Sequence, residues 1–181
     1  RYDALHGDLQ IQTKWTDGAN SIKEMALAAQ KLGLDYIAIT DHTQALAFIG
    51  GLDPKKLAAQ GREIDALNKT LKDFTVLKGT ECDILKDGTL DLPDSALAKL
   101  DVVGVSVHSY FNLSRAEQTK RVIRAMKNPH VDILFHPTCR RIGRREEIDL
   151  DMDAIFKAAH ETHTALEVNG SDRADLRDVH I

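Results

Sequence analysis

The sequence predicts a parallel α/β fold. Short apolar, β-rich runs alternate with segments of helical period almost from the start of the chain. Polar or glycine-containing turns separate the two kinds of segment. Chemically active side chains recur just where the apolar runs end: Glu81 after the run from residue 74, His108 after 102–107, and His136 after 131–135. In a β/α protein, side chains at strand ends converge on one rim, where metal and substrate sites are built.

Residues 8–13 alternate polar and apolar, as a half-buried strand does. Asn20-Ser21 can cap a helix whose apolar positions Ile22, Met25, Ala26, Ala29 and Leu32 recur every three to four residues, and Gly33 ends it. Residues 36–40 read as a short buried strand. Asp53-Pro54 opens a second helix with Leu57, Ile64, Leu67 and Leu71 on one face. Residues 74–84 are strand-like, Lys86-Asp87-Gly88 is a turn, Leu97 lies in a short helix, and 101–107 is the next strand. Ser114 and Glu117 form a capping-box pattern for a helix that runs to about Lys127 and stops before Pro129. A strand at 131–135, a helix at 151–162 and a strand at 164–168 complete about six strands alternating with helices. Residues 43–51 and the arginine-rich 140–147 are the notable irregular stretches, and no repeat, low-complexity tract or linker is visible.

The 181 residues suffice for one domain with a substantial core. The composition, 43% hydrophobic and 29% charged, is that of an ordinary soluble protein. A net charge of −4 argues against a non-specific nucleic-acid or membrane coat, though not against a local basic patch. No apolar run reaches transmembrane length and Arg1-Tyr2-Asp3 does not open a signal peptide, so no membrane partner and a cytoplasmic location are expected. Cys82 and Cys139 are too few for a disulfide framework and read as small core-lining thiols in a reducing compartment.

The first strand ends in Gln10-x-Gln12, followed by Thr16-Asp17-Gly18, and the second ends in Thr40-Asp41-His42. With Glu81, His108 and His136, four consecutive strands each deliver a histidine or glutamate at the same end. A lone histidine there is ordinarily a satisfied, non-ligating residue, but the whole set favours a divalent-metal site. Neutral imidazole and ionised carboxylate are the deprotonated donors such a site needs. His6, His130, His160, His163 and His180 fall in loops or helices and read as surface residues.

Asp17-Gly18, Thr40-Asp41-His42-Thr43, Gly79-x-Glu81, Ser106-Val107-His108-Ser109 and His136-Pro137-Thr138 resemble, in order, the motifs of the PHP (polymerase and histidinol phosphatase) domain. The resemblance spans nearly the whole chain. Phe111-Asn112-Leu113, Gln118-Thr119-Lys120-Arg121, Asn128-Pro129, Asp87-Gly88-Thr89-Leu90-Asp91 and the arginines after His136 look like the branch found at the C-terminus of bacterial and archaeal family X DNA polymerases. That resemblance implies a distorted (β/α)7 TIM-like barrel and a three-metal centre of zinc or manganese, magnesium being admissible. It also implies a phosphoesterase that trims DNA 3′ ends in repair.

Carried over, it implies that Glu81 bridges two metals and that His108 and His136 complete the second site, these three being the catalytic set. Asp17 and His42 belong to a third site. Gln10 and Gln12 stand where the first site takes a His-x-His pair, and glutamine offers only a neutral carbonyl oxygen, a weak ligand. The family's last strand ends in Asp-x-His, whereas this chain stops at Ile181. Residues 1–181 are therefore expected to be an incomplete PHP domain, a fragment of a longer polymerase chain. Partial metal occupancy, weak or absent activity, and an open barrel edge at strand one that can support oligomers go with that expectation.

Arg140-Arg141-x-x-Arg144-Arg145 places four arginines in six positions on an acidic chain. Arg140, Arg144 and Arg145 read as substrate-phosphate ligands, because guanidinium matches phosphate bidentately, with pairing to Glu146 and Glu147 the alternative. Trp15, Tyr110 and Phe111 follow site-bearing strands and offer either base stacking or packing. Two other functional readings stand beside the exonuclease. A degenerate, non-catalytic PHP barrel with a structural or DNA-docking role is favoured by Gln10 and Gln12. A histidinol-phosphate-type small-molecule phosphatase is disfavoured by the arginine-rich loop and by residues 87–91.

Overall fold

The computed structural model describes residues 4–181, so the opening Arg1-Tyr2-Asp3 lies outside the described residues. Six strands alternate with helices: β1 (Gly7–Ile11), α1 (Ile22–Lys31), β2 (Tyr36–Ile39), α2 (Pro54–Asn68), β3 (Thr75–Asp83), α3 (Asp94–Leu97), β4 (Val102–Ser106), α4 (Arg115–Met126), β5 (Ile133–Leu134), α5 (Met152–Thr162) and β6 (Ala165–Leu166). The sheet follows chain order from β1 to β6. Strands β1–β2–β3 and β4–β5–β6 pair in parallel, as strands joined by helical crossovers must. The predicted α/β alternation is thus the observed one. Among the described residues no helix is long and apolar enough to cross a membrane.

Contacts divide the chain into two compact units, the first running to Glu81 and including Leu92–Val103, the second comprising Cys82–Asp91 and Gly104–Ile181. In the first unit, Ile22, Ala26 and Ala29 form the inward stripe of α1 and pack with Ile11, Ile37, Ile39, Ile64, Phe74 and Val76 in one core cluster. The helix starts are those the sequence signals. Ser21 and Glu24 make a complete capping box on α1, and the Asp53 carboxylate accepts the backbone N–H groups of Lys55 and Lys56 ahead of Pro54. The stretch read as a loop after β2 contains a 3-10 turn, Gln44–Ile49, closed by Gly50 at φ +80°.

In the second unit, Ser114 and Glu117 form the predicted capping box of α4. Gly104 is required where β4 passes the Phe135 ring, because a Cβ would fall 1.9 Å from it. Strands β5 and β6 have two residues each, shorter than the sequence suggests. The reason lies at the end of β5: the His136 N–H leaves the ladder and donates to the Glu167 carboxylate at 2.6 Å, with His136 at φ +31°.

The largest buried side chain of this unit is Arg121, only 2% exposed. Its guanidinium donates to the carbonyls of Leu85 (2.8 Å), Ser109 (2.9 Å) and Ile84. Burial pulls its pKa below the usual guanidinium range. Arg121→Met keeps much of the volume and removes every donor to those three carbonyls. Unfolding free energy should fall by about 3 kcal/mol or more, read from urea denaturation; a loss under about 1 kcal/mol would contradict the clamp.

Candidate functional site

Each unit carries its own cluster of candidate ligands. In the first, Glu81 lies inside β3 rather than beyond it and is buried. The amide groups of Gln10 and Gln12 both donate to Glu81 Oε2, at 3.3 and 3.0 Å, and Gln12 also donates to the Thr40 carbonyl at 3.2 Å. His42, buried just past β2, places Nδ1 3.7 Å from Glu81 Oε2 and Nε2 3.7 Å from Asp17 Oδ2. Asp17, His42 and Glu81 thus form one row, with the two glutamines against the same glutamate.

A residue with no role assigned from sequence builds this arrangement. Asp41, 0% exposed, accepts hydrogen bonds from the Thr13 N–H (2.7 Å) and from Thr13 Oγ1, Thr16 Oγ1 and Gln60 Nε2 (2.6 Å each). Its carboxylate therefore ties the loop after β1, which carries Asp17, to the end of β2, which carries His42. Gly18 lets that loop fold back, since a Cβ there would sit 2.4 Å from the Gln12 carbonyl oxygen. A charged residue directly ahead of His42 at the end of an apolar strand was the available signal.

The second cluster is built on His108 and His136, whose ring centroids are 5.5 Å apart at an interplanar angle of 60°. His108 Nδ1 lies 3.0 Å from Asp83 Oδ1, and Ser106 Oγ is 3.3 Å from the same nitrogen. Glu167, which holds the His136 N–H, accepts from Asn169 Nδ2 at 2.9 Å on its other oxygen. Asp175, fully buried, accepts the Thr138 N–H at 3.0 Å. Sequence reasoning missed Asp83, Glu167 and Asp175. Glu167 follows β6 just as Glu81 and the histidines mark other strands, so the strand-end rule could have found it.

Among the described residues, the contacts of Arg140, Arg141 and Arg145 are to partners other than Glu146 and Glu147. Arg141 bonds Asp172 (2.9 Å), Arg140 donates to the Ala174 carbonyl (3.4 Å), and Arg145 Nε donates to the Cys139 carbonyl (2.7 Å) while its guanidinium covers the Phe111 ring at 4.0 Å. Glu147 pairs instead with Arg177 (3.4 Å). Arg144 is exposed on the loop. Burial lowers the Arg145 pKa from its ordinary value. Both thiols are buried and unbridged, and burial pushes Cys139 up to about 12, which fits the core-lining role.

The donor types suit a divalent cation. The His42–Glu81 and His42–Asp17 separations of 3.7 Å are too long for hydrogen bonds and close to the roughly 3–3.5 Å between neighbouring ligands with metal–ligand bonds near 2.1 Å. Asp83 on His108 matches the carboxylate–imidazole pairs that orient ligating histidines. The glutamine positions do not fit an ion as they stand, because they present N–H donors to Glu81 rather than lone pairs to a cation.

Carboxylate and imidazole clusters at the ends of parallel strands are a feature of metal-dependent hydrolases, and the chain belongs to the PHP domain family, whose model it matches over residues 8–171. It is 48% identical over 178 residues to the DNA polymerase/3′-5′ exonuclease PolX of Bacillus subtilis, covering 98% of this chain and 31% of that protein. It is 33% identical over 166 residues to a "probable phosphatase" of Thermoanaerobacter sp., covering 87% of this chain and 61% of that one. The chain thus spans under a third of the polymerase and about three fifths of the phosphatase. A solved structure of a candidate histidinol phosphatase from Listeria monocytogenes shares the fold, with a TM-score of 0.67 and 14% identity over 88% of this chain and 80% of that chain.

Asp41 yields a direct test of the scaffold. Asp41→Asn turns an NH2 group toward donors that need an acceptor, and should lower unfolding free energy by about 2 kcal/mol in chemical denaturation. An unchanged midpoint would show that the four bonds do not hold the loop.

Proposed function

We propose that this chain is the PHP segment of a family X DNA polymerase, a metal-dependent phosphoesterase for DNA 3′ ends whose activity is impaired in this chain. The observation that carries the reading is 48% identity across 98% of the chain to a relative named as a DNA polymerase/3′-5′ exonuclease. The strand-end clusters supply the chemistry. The metal would be held by Asp17, His42 and Glu81 in the first unit and by His108 and His136 in the second. Zinc or manganese suits these donors, with magnesium admissible. When bound, such ions polarise the phosphoryl group and lower the pKa of water.

The chain's own residues do the positioning. Asp83 orients the His108 ring and Glu167 holds the backbone of His136. Arg140, Arg144 and Arg145 follow His136 and neutralise non-bridging phosphate oxygens. Arg144 has the most freedom to do so, whereas the Arg145 Nε is already committed to the Cys139 carbonyl. Gln10 and Gln12 supply hydrogen bonds to Glu81 where a His-x-His pair would supply two lone pairs, so the centre takes up less metal than one with that pair. DNA is the macromolecular partner, reached through the parent polymerase, and unbridged thiols accord with the cytoplasm. A small-molecule phosphatase is the second reading, favoured by the relatives described as probable phosphatases.

The assay is release from a 3′-labelled single-stranded oligonucleotide with manganese, run beside p-nitrophenyl phosphate and histidinol phosphate. Chelation should abolish oligonucleotide hydrolysis, and His136→Ala should lower it by about a hundredfold. Preference for histidinol phosphate would favour the second reading, and no hydrolysis of any of them the degenerate one. Separately, Gln10→His with Gln12→His should raise the metal content found by elemental analysis and speed the reaction. Unchanged metal content would sink the assignment of the glutamines to a lost metal position.

A further inference from the structure

We propose that Tyr110 is a stacking platform for a nucleobase, and that it gives this chain a preference for nucleotides over bare phosphoesters. The inference rests on the nucleotide reading above and deepens it. Three aromatic rings follow site-bearing strands, and their surroundings differ. Trp15 packs against the core of the first unit, with its indole N–H on Glu63 at 3.0 Å. Phe111 is covered by the Arg145 guanidinium. Tyr110 is 52% exposed.

The backbone at Tyr110 is held for presentation. Its φ is +54°, a conformation an aromatic residue rarely adopts and keeps only where its surroundings impose it. Two fully buried side chains of α4 impose it: Gln118 Nε2 donates to the Tyr110 carbonyl at 2.7 Å, and the Arg121 guanidinium donates to the Ser109 carbonyl at 2.9 Å. The same guanidinium also holds the Leu85 and Ile84 carbonyls, so this surface segment is tied to a buried clamp. The effect is to hold an aromatic ring outward, two residues past His108.

Charge around the ring matches a nucleotide. Lys86 Nζ lies over the ring at 5.4 Å from its centroid and Arg121 Cζ at 5.9 Å; Lys86 is exposed on a flexible stem, so a base takes the place of its ammonium on the ring face, whereas the guanidinium over Phe111 is closer, at 4.0 Å, and tied to the Cys139 carbonyl. A stacked base would therefore bring its phosphate near a cation able to move to it. Aromatic stacking accepts every base, which suits an activity that meets whatever nucleotide stands at an end.

The test is a binding titration followed by NMR, with magnesium present, using 5′-dAMP and 2-deoxyribose 5-phosphate as base-bearing and base-free probes. Tyr110→Asn removes the ring while tolerating the left-handed backbone, and Tyr110→Phe keeps the ring. Wild type should bind dAMP more tightly than the sugar phosphate. Tyr110→Asn should weaken dAMP roughly 5- to 150-fold and leave the sugar phosphate within about twofold, with Tyr110→Phe close to wild type. Equal weakening of both probes by Tyr110→Asn, no effect on dAMP, or a wild type that does not favour dAMP would overturn the proposal. The readout needs no hydrolysis. A chain that fails the oligonucleotide assay yet shows this pattern loses its proposed reaction and keeps its base platform, and the reverse result separates the two the other way.

Discussion

A carboxylate withdrawn from water must be met by donors, and in the first unit Asp41 is met by four, none of them charged. Those bonds join three pieces of chain distant in sequence: the loop after β1, the end of β2, and Gln60 on α2. Removing the acceptor strands all of them at once, so the loop, the helix and the strand end hold one another in place. That arrangement brings Asp17 to face His42 at 3.7 Å.

The same logic governs Glu81. Its described amide donors, Gln10 and Gln12, are neutral, so they satisfy hydrogen-bonding capacity without cancelling charge. Asp17 and His42 continue the row from Glu81, with His42 3.7 Å from each carboxylate.

In the second unit the buried charge is positive. Arg121 reaches three carbonyls from α4 and, with Gln118, sets the path of the segment from Ser109 to Tyr110. His136 departs from regular strand geometry because its N–H answers to Glu167, so the end of β5 and the start of the candidate site are the same event. Secondary structure is given up there in favour of side-chain placement, as happens where backbone groups serve a site.

The strand and helix order and the caps at Ser21, Asp53 and Ser114 were legible in the sequence, as was the placing of Asp17, His42, Glu81, His108 and His136 at or near strand ends, because hydrophobic period and capping are local properties written within a few residues. The lengths of β5 and β6 were not, since they depend on a bond between His136 and a carboxylate 31 positions away. The supporting carboxylates Asp41, Asp83, Glu167 and Asp175 were unassigned for the same reason: an acid of this kind declares its role only through the donors the fold brings to it. Trp15, Tyr110 and Phe111 looked equivalent in sequence. Only tertiary structure separated the one packed on a core, the one capped closely by an arginine and the one left half exposed beside Lys86, because exposure is a property of what packs against a residue and not of the residue itself.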